Sequence, residues 1–261
     1  MNKYWCILLC LHFSIIGFAQ KFEASKFTYK SLVYSDAHFE STDELYFLDT
    51  NKTIYVRGVI SFMESHPKPE EGVIVMPLDS SIGDFIYIND FKINQLISKV
   101  DDFKVYYIRE DIPNFKWQLQ EEYKNINGVN LQKATTHFRG RNYTAWCDLE
   151  TPISIGPWKF NNLPGLAYEI TDDAKEYHYE WYLIKQTPPK VYDFLRLDIS
   201  KQKTISLEEF VKQTDENRKT SNSLLSSRSE IESLGFELIE SKVEYKNHRL
   251  NALEIQYEWE E

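Results

Sequence analysis

The chain has 261 residues, 15% of them aromatic, and its 17 Tyr and 16 Phe greatly outnumber its nine glycines. This aromatic content argues against an intrinsically disordered protein, because disordered chains are poor in the residues that form a core. A formal charge of −10 argues against binding to nucleic acid or to an anionic lipid surface, since both need clusters of Lys and Arg.

The start of the chain has the pattern of a cleaved export signal. Lys3 supplies a positive charge, an apolar run covers residues 7–18, and Gly17 and Ala19 form the small-x-small pair of a cleavage site. The apolar run is too short to span a membrane. We therefore expect a signal peptide over residues 1–19 and an exported mature chain that is periplasmic, outer-membrane associated or secreted, with no transmembrane segment.

Alternating apolar and polar residues predict β-strands along most of the mature chain. The clearest alternations lie at 54–62, 103–107, 115–119, 177–183 and 253–259, and shorter candidates at 27–34, 44–48, 72–76, 84–88, 129–138, 143–149, 166–170, 194–199 and 236–245. Turn residues at 49–52 and the dipeptide Asn127-Gly128 predict tight hairpins. We expect a mainly β domain over residues 20–261, built as a curved antiparallel sheet, a half-barrel or a sandwich.

Helix signals occur near the C-terminus. Ser206 and Glu209 form a capping box in front of an apolar face. The polar stretch 214–222 is expected to end this helix, and residues 223–234 to form a second one. One or two helices, within an insertion at about 206–234, would then pack on the sheet.

The known catalytic and metal-binding motifs are absent from the sequence. It contains no H-E-x-x-H, no C-x-x-C, no Gly-rich phosphate loop and no G-x-S-x-G. We therefore expect no metal, no cofactor and no enzymatic activity.

Residues 137–148 leave one catalytic alternative open. Cys147, the only cysteine after position 10, lies in a predicted strand, where a small buried residue is the ordinary interpretation. The alternative is a hydrolase or peptidase accessory whose unrecognised site would join His137 and Asp148 with Cys147 or Arg139. It requires these side chains to converge in a cleft.

The segment 139–171 is the most distinctive part of the sequence. It concentrates Pro and Gly, notably in Gly156-Pro157 and Pro164-Gly165, between aromatic residues. Pro and Gly favour tight turns, and long ordered loops often carry function. Two interpretations remain open. The loop either closes the end of the sheet with its aromatic rings or lines a groove with Trp146, Trp158 and Phe160.

This segment resembles the signature of the GLPGLI family of secreted bacterial envelope proteins. The resemblance rests on 156–160 (GPWKF) and 162–166 (NLPGL), with support from 117–119, 126–128, 133–135, 138–141, 145–146 and 251–254. Asn162 stands where the name motif has its first Gly, and Ala167 where it has its final Ile. The residues that match the family motif or would form a binding site are Arg139, Gly140, Arg141, Trp146, Gly156, Pro157, Trp158, Lys159, Phe160, Leu163, Pro164, Gly165 and Leu166.

The resemblance implies a location and a context more than a reaction. Proteins of this family have no established activity, and their genes often accompany TonB-dependent outer-membrane receptors and peptidase or transport functions. We expect a non-enzymatic envelope protein, a binding or accessory module for an outer-membrane transport system. Its partner would be an outer-membrane receptor, another envelope protein, a peptide or an apolar ligand.

Overall fold

The computed structural model describes residues 21–34, 38–49, 51–58, 61–62, 85–102, 104–174, 177–193, 199, 201–227, 249 and 252–260. The expected signal peptide, the strands at 72–76 and 236–245, most of the strand at 194–199 and the end of the expected second helix lie outside the described residues.

Thirteen strands and one α-helix form within the described residues. The strands are β1 (Lys21–Tyr34), β2 (Phe39–Asp49), β3 (Lys52–Arg57), β4 (Ser61–Phe62), β5 (Phe85–Asp90), β6 (Gln95–Asp102), β7 (Lys104–Asp111), β8 (Gln118–Ile126), β9 (Val129–Phe138), β10 (Arg141–Asp148), β11 (Leu166–Asp172), β12 (His178–Asp193) and β13 (Ile205–Ser206). The helix α1 covers Leu207–Ser227, and Glu258–Glu260 form a 3₁₀ turn.

All the strands belong to one open sheet. Its order is β13-β7-β6-β5-β3-β2-β1-β12-β11-β10-β9-β8, with β4 added beside β2. Every described pair of neighbours is antiparallel except β13 and β7. The end strands β8 and β13 do not pair with each other, so backbone hydrogen bonds do not close the sheet. The prediction of a mainly β protein built on an antiparallel sheet is confirmed.

Both faces of the central strands are buried, because successive side chains of a strand point to opposite faces. Tyr55 and Tyr87 join the largest core cluster, which also contains residues of β9 to β12 and of the 149–165 loop. Their neighbours Ile54 and Ile86 join a second cluster on the other face. The large aromatic content of the chain therefore fills the inner face of the sheet.

The helix begins where its capping residues predict and ends later. The backbone N–H of Glu209 donates to Ser206 Oγ at 3.1 Å, and Leu207 and Val211 pack in a cluster with β7 residues. The predicted loop over 214–222 is wrong, since α1 continues through it. Thr214 is buried and donates its hydroxyl to the carbonyl of Phe210 at 3.0 Å, which lets a polar residue stay within the helix.

No helix in the described part of the chain is long and apolar enough to cross a membrane.

The strand predicted at 253–259 is also wrong. The chain runs irregularly to residue 257 and then enters the 3₁₀ turn. Glu254, which an alternating strand would direct to solvent, is buried, whereas Trp259 is 40% exposed. Ion pairing of Glu254, described below, overrides the pattern of hydrophobicity.

Two hairpins turn through two-residue loops with positive φ at both positions, the type I′ geometry that fits the twist of antiparallel strands. Asn127 and Gly128 have φ of 52° and 86°, and Arg139 and Gly140 have φ of 43° and 84°. The first is the hairpin that the Asn-Gly dipeptide predicts.

We expect Gly140→Ala to lower the free energy of unfolding more than Gly128→Ala. Each variant places a side chain at positive φ, which costs about 1–2 kcal/mol. At position 140 the new Cβ would also lie 2.5 Å from Ile255 Cγ1, whereas nothing lies within 4 Å of it at position 128. Urea denaturation measures both losses. Equal losses would contradict close packing of the C-terminal segment on this turn.

Candidate functional site

The β9–β10 turn directs an arginine inward from a strained position. Arg139 has a φ of 43° at the first turn position, where Asn is the usual residue. Its side chain is only 8% exposed and stacks over the rings of Phe138 and Tyr257, with its Cζ 4.9 and 5.3 Å from their centroids. A residue held in this conformation indicates that surrounding contacts determine its position.

Arg139 belongs to a ring of four alternating charges, which we call the buried ion cluster: Glu110, Arg139, Lys159 and Glu254. Arg139 Nη1 lies 2.9 Å from Glu110 Oε2 and also contacts Glu254 Oε1. Lys159 Nζ contacts Glu110 Oε1 and lies 2.9 Å from Glu254 Oε2. All four side chains are nearly excluded from solvent. Each charge therefore touches two charges of opposite sign.

The electrostatics of the buried ion cluster keep it ionised. Burial alone would raise the pKa of the Glu254 carboxyl, but Lys159 and Arg139 outweigh burial and hold this pKa below its ordinary value. Burial alone would lower the pKa of the Lys159 amine, but Glu110 and Glu254 raise it above its ordinary value. Both shifts favour the charged forms that pair.

The same hairpin fixes the backbone of the C-terminal segment, residues 252–260. The carbonyl of Arg139 accepts hydrogen bonds from the N–H groups of Ile255 and Gln256 at 3.0 and 3.2 Å. Arg141 Nε donates to the carbonyl of Ala252 at 2.8 Å, and Tyr143 Oη donates to the carbonyl of Leu253 at 2.9 Å. Side chains of β10 thus replace the strand pairing that this segment lacks.

Arg141 of β10 forms a further buried ion pair, separate from the buried ion cluster. Its Nη1 donates to Asp172 Oδ2 at 2.7 Å and to the carbonyl of Tyr177 at 2.8 Å. This contact links β10 to the connection between β11 and β12.

The 149–165 loop packs into the largest core cluster. The N–H of Gly156 donates to the carbonyl of Phe160 at 2.9 Å, and Trp158, between them, has a φ of 53°. Trp158 and Phe160 are buried with ring centroids 5.1 Å apart, and Phe160 also packs edge-on against Trp181. The loop therefore contributes aromatic rings to the core.

The three aromatic rings singled out in the sequence do not share a groove. Trp146 is on the other face of β10 from its neighbours Ala145 and Cys147, which join the core, and Lys124 Nζ lies 4.3 Å from its ring centroid. Phe160 is completely buried. Only Trp158 lines a cavity, described below.

The remaining motif residues shape the turn that follows. Leu163 and Leu166 are buried in the core. A Cβ on Gly165 would lie 2.1 Å from the carbonyl oxygen of Asp148, so only glycine fits there. Asn162 has a φ of 54° and donates from Nδ2 to Asn114 at 2.9 Å. Asparagine tolerates this conformation better than most residues.

A cavity of about 310 Å³ adjoins the buried ion cluster. Its described lining comes from β3, β5, β6, β7 and β12, from Trp158 and Lys159 of the loop, from the start of α1 and from the C-terminal segment. Its volume lies at the lower end of the range for small-molecule sites. Six of its sixteen lining residues are aromatic, and Lys159 and Glu254 contribute a charged side whose groups are already paired.

Arg57 is the cation in this wall that lacks a partner. No hydrogen bond or ion pair joins its guanidinium to another described residue, and its Nε is buried without a hydrogen-bond acceptor. Its nearest carboxylate by electrostatic influence, Asp43, is buried and accepts hydrogen bonds from Ser41 Oγ at 2.7 Å, from the N–H of Gly58 at 3.1 Å and from Tyr55. Burial raises the pKa of the Asp43 carboxyl, and the charge of Arg57 opposes that rise without a hydrogen bond or ion pair between the two side chains.

The residues of the catalytic alternative do not converge. His137 pairs in register with Asn142, its Nδ1 lying 2.7 Å from the amide oxygen, whereas Asp148 lies at the opposite end of β10. Six strand residues separate these ends by about 20 Å. Asp148 instead accepts a hydrogen bond from the N–H of Glu150 at 3.0 Å. This arrangement provides no acid–base pair.

Cys147 is a packing residue. It is completely buried, and burial, followed by the charge of Asp148, raises the pKa of its thiol to about 12. A thiol with so high a pKa is a poor nucleophile at neutral pH. Among the described residues no three His, Cys, Asp or Glu side chains come together as metal ligands.

Sequence reasoning missed two residues of this region. Glu110 follows the strand predicted at 103–107 and resembles an ordinary solvent-exposed charge, and Arg57 lies in a predicted strand where nothing distinguishes it from other surface arginines. Neither residue has a local signal, since their partners or neighbours come from distant segments. Glu254, in contrast, falls within the C-terminal part of the family resemblance.

No family model matches the chain, and no curated protein matches it. Among solved structures it is similar to the structure of PNGF-II in C2 space group, with 13% identity and a TM-score of 0.45 over 74% of this chain and 32% of that chain. The structure of PNGF-II in P21 space group gives 13% identity and a TM-score of 0.41 over 74% and 33% of the two chains. The chain spans about a third of the length of these neighbours, and so weak a likeness carries no argument about function.

We expect Glu254→Gln to lower the free energy of unfolding by about 3 kcal/mol at pH 7, because it leaves Arg139 and Lys159 short of a buried counter-charge. The pKa of Glu254 is lower in the fold than in the unfolded chain, so its stabilisation is complete above the ordinary value of 4.5 and is lost as the pH falls through the folded-state pKa. Urea denaturation at several pH values should therefore show the two proteins converging in acid.

Glu258→Gln is the matched control. Glu258 also pairs with Arg139, at 3.0 Å, but its side chain is 62% exposed, so we expect a loss below about 1 kcal/mol. Equal losses for the two variants, or a difference that persists unchanged in acid, would contradict the role assigned to the buried ion cluster.

Proposed function

We propose that the chain is a non-enzymatic binding module of the bacterial cell envelope, exported and attached to an outer-membrane transport system. The observation that carries the binding part is the cavity beside the buried ion cluster. Its aromatic wall and its partnerless arginine combine apolar surface with a polar anchor, which is typical of small-molecule sites.

The rigidity of the surroundings supports binding over catalysis. Lys159 and Glu254, two of the charged groups at the cavity wall, are each held by two ion pairs, which fix the positions of both side chains. A site whose walls are already ordered loses little entropy when a ligand enters.

The envelope location rests on the export pattern of residues 1–19 and on the resemblance to the GLPGLI family. That resemblance also supports the association with outer-membrane receptors. The long Gly/Pro loop, which carries most of the family motif, contributes Trp158 and Lys159 to the cavity wall. The motif and the proposed binding site therefore coincide in part.

We expect Val100→Trp to abolish binding of the uncharged fluorescent probe N-phenyl-1-naphthylamine. Val100 lines the cavity, and an indole there would occupy much of the space that the probe needs. Val105→Trp is the control, because Val105 is 45% exposed and does not line the cavity. Fluorescence titration gives the dissociation constants. Failure of the unaltered protein to bind the probe, or equal binding by both variants, would count against the proposal.

We expect the full-length chain, expressed with its own first residues in a bacterium with an outer membrane, to be recovered from the envelope fraction after cleavage behind Ala19. Intact-mass measurement identifies the new N-terminus. Affinity purification followed by mass spectrometry should recover an outer-membrane receptor with the tagged protein, compared with a tagged, unrelated periplasmic protein. An uncleaved chain in the cytosol would refute the export part, and a chain recovered alone would refute the transport association.

A further inference from the structure

Arg57 lies at the wall of the cavity and makes no hydrogen bond or ion pair with another described residue. The other cations near the centre of the molecule are paired: Arg139 and Lys159 within the buried ion cluster, and Arg141 with Asp172. Arg57 is β3's last residue, and its Cζ lies 5.8 Å from the Phe85 ring centroid. A buried N–H without an acceptor costs free energy, and such a group in a folded protein calls for an explanation.

We infer that the cavity takes a small organic monocarboxylate, with the carboxylate on Arg57 and the apolar part against the aromatic wall. This inference rests on the proposed binding function and specifies its ligand. A guanidinium presents a planar pair of donors that matches the two oxygens of a carboxylate. Asp43 does not form an ion pair with Arg57, and its oxygens accept hydrogen bonds from Ser41, Tyr55 and the N–H of Gly58.

The apolar part of the ligand is defined by the walls. Tyr87, Trp158 and Tyr179 are buried core aromatics that border the cavity, and Leu253 and Phe210 approach it from the C-terminal segment and α1. Flat rings of this kind bind aromatic or aliphatic groups by burial of apolar surface. The ligand class is thus an acid with a compact hydrophobic body.

The remaining charges limit the ligand to one negative charge. Asp101 and Glu254 also line the cavity, and no ion pair joins Asp101 to Arg57. Glu254 is neutralised by Lys159 and Arg139, whereas Asp101 has no counter-ion among the described residues. A second negative charge on the ligand would meet Asp101 without a further cation to offset it, which disfavours phosphate monoesters and dicarboxylates.

The test is displacement of bound N-phenyl-1-naphthylamine by three compounds: 4-phenylbutyrate, its uncharged amide and phenyl phosphate. For the unaltered protein we expect 4-phenylbutyrate to bind about ten-fold more tightly than the amide, since hydrogen bonds to a charged partner contribute at least this much. Phenyl phosphate should bind more weakly than 4-phenylbutyrate. Calorimetric titration of 4-phenylbutyrate alone provides the same constant without the probe.

Arg57→Gln should reduce the affinity for 4-phenylbutyrate by about ten-fold and leave the affinity for the amide within a factor of two. Arg57→Lys keeps the charge and should recover part of the preference for the acid. Thermal unfolding of both variants verifies that they fold.

If the probe binds but the acid and the amide compete equally, the carboxylate inference fails while the binding function stands. If calorimetry detects no binding of 4-phenylbutyrate, the carboxylate inference fails, and if the probe does not bind either, the binding function fails with it. Tighter binding of phenyl phosphate than of 4-phenylbutyrate would overturn the restriction to a monocarboxylate.

Discussion

The structure depends on one electrostatic constraint, the mutual neutralisation of four buried charges. Glu110, Arg139, Lys159 and Glu254 come from β7, the β9–β10 turn, the 149–165 loop and the C-terminal segment. Each would cost several kcal/mol to bury alone. Together they join strands near opposite ends of a sheet that backbone hydrogen bonds leave open. Side-chain charges, and not a strand ladder, therefore hold the two ends of the sheet against one core.

This constraint also explains why the cavity has an ordered wall. Lys159 points from a turn whose neighbouring residue, Trp158, has positive φ, and Glu254 lies in a segment without secondary structure. Neither backbone would hold a fixed position by local preference. The ion pairs and the hydrogen bonds from Arg139, Arg141 and Tyr143 fix both. Trp158, one of five described non-glycine residues with positive φ, and the irregular segment that carries Glu254 thus both border the cavity.

The sequence predicts most strands of this fold, and its failures have physical causes. Alternation and the Asn127-Gly128 turn identify the β8–β9 hairpin because these signals are local. Strand β6 escapes prediction because Leu96, Ile97 and Ser98 are all buried, so no polar face marks the strand. The opposite error occurs at 253–259, where a perfect alternation does not form a strand. Pattern analysis assigns every charge to solvent, and Glu254 is paired in the interior.

The residues of the candidate site also differ in whether nearby sequence or distant contacts reveal them. A motif of adjacent residues can be recognised, so Arg139 and Lys159 are predictable candidates although the sequence does not say that they meet. Arg57 differs because the feature that singles it out is the absence of a hydrogen bond or ion pair to another described residue. Whether two side chains form a contact depends on the assembled sheet. There Asp43 accepts a hydrogen bond from Ser41, two positions earlier in the chain, and forms no ion pair with Arg57. Arg57 is therefore the cation of the described cavity wall at which the proposed carboxylate would gain most, because Lys159, the other one, would first have to give up a carboxylate.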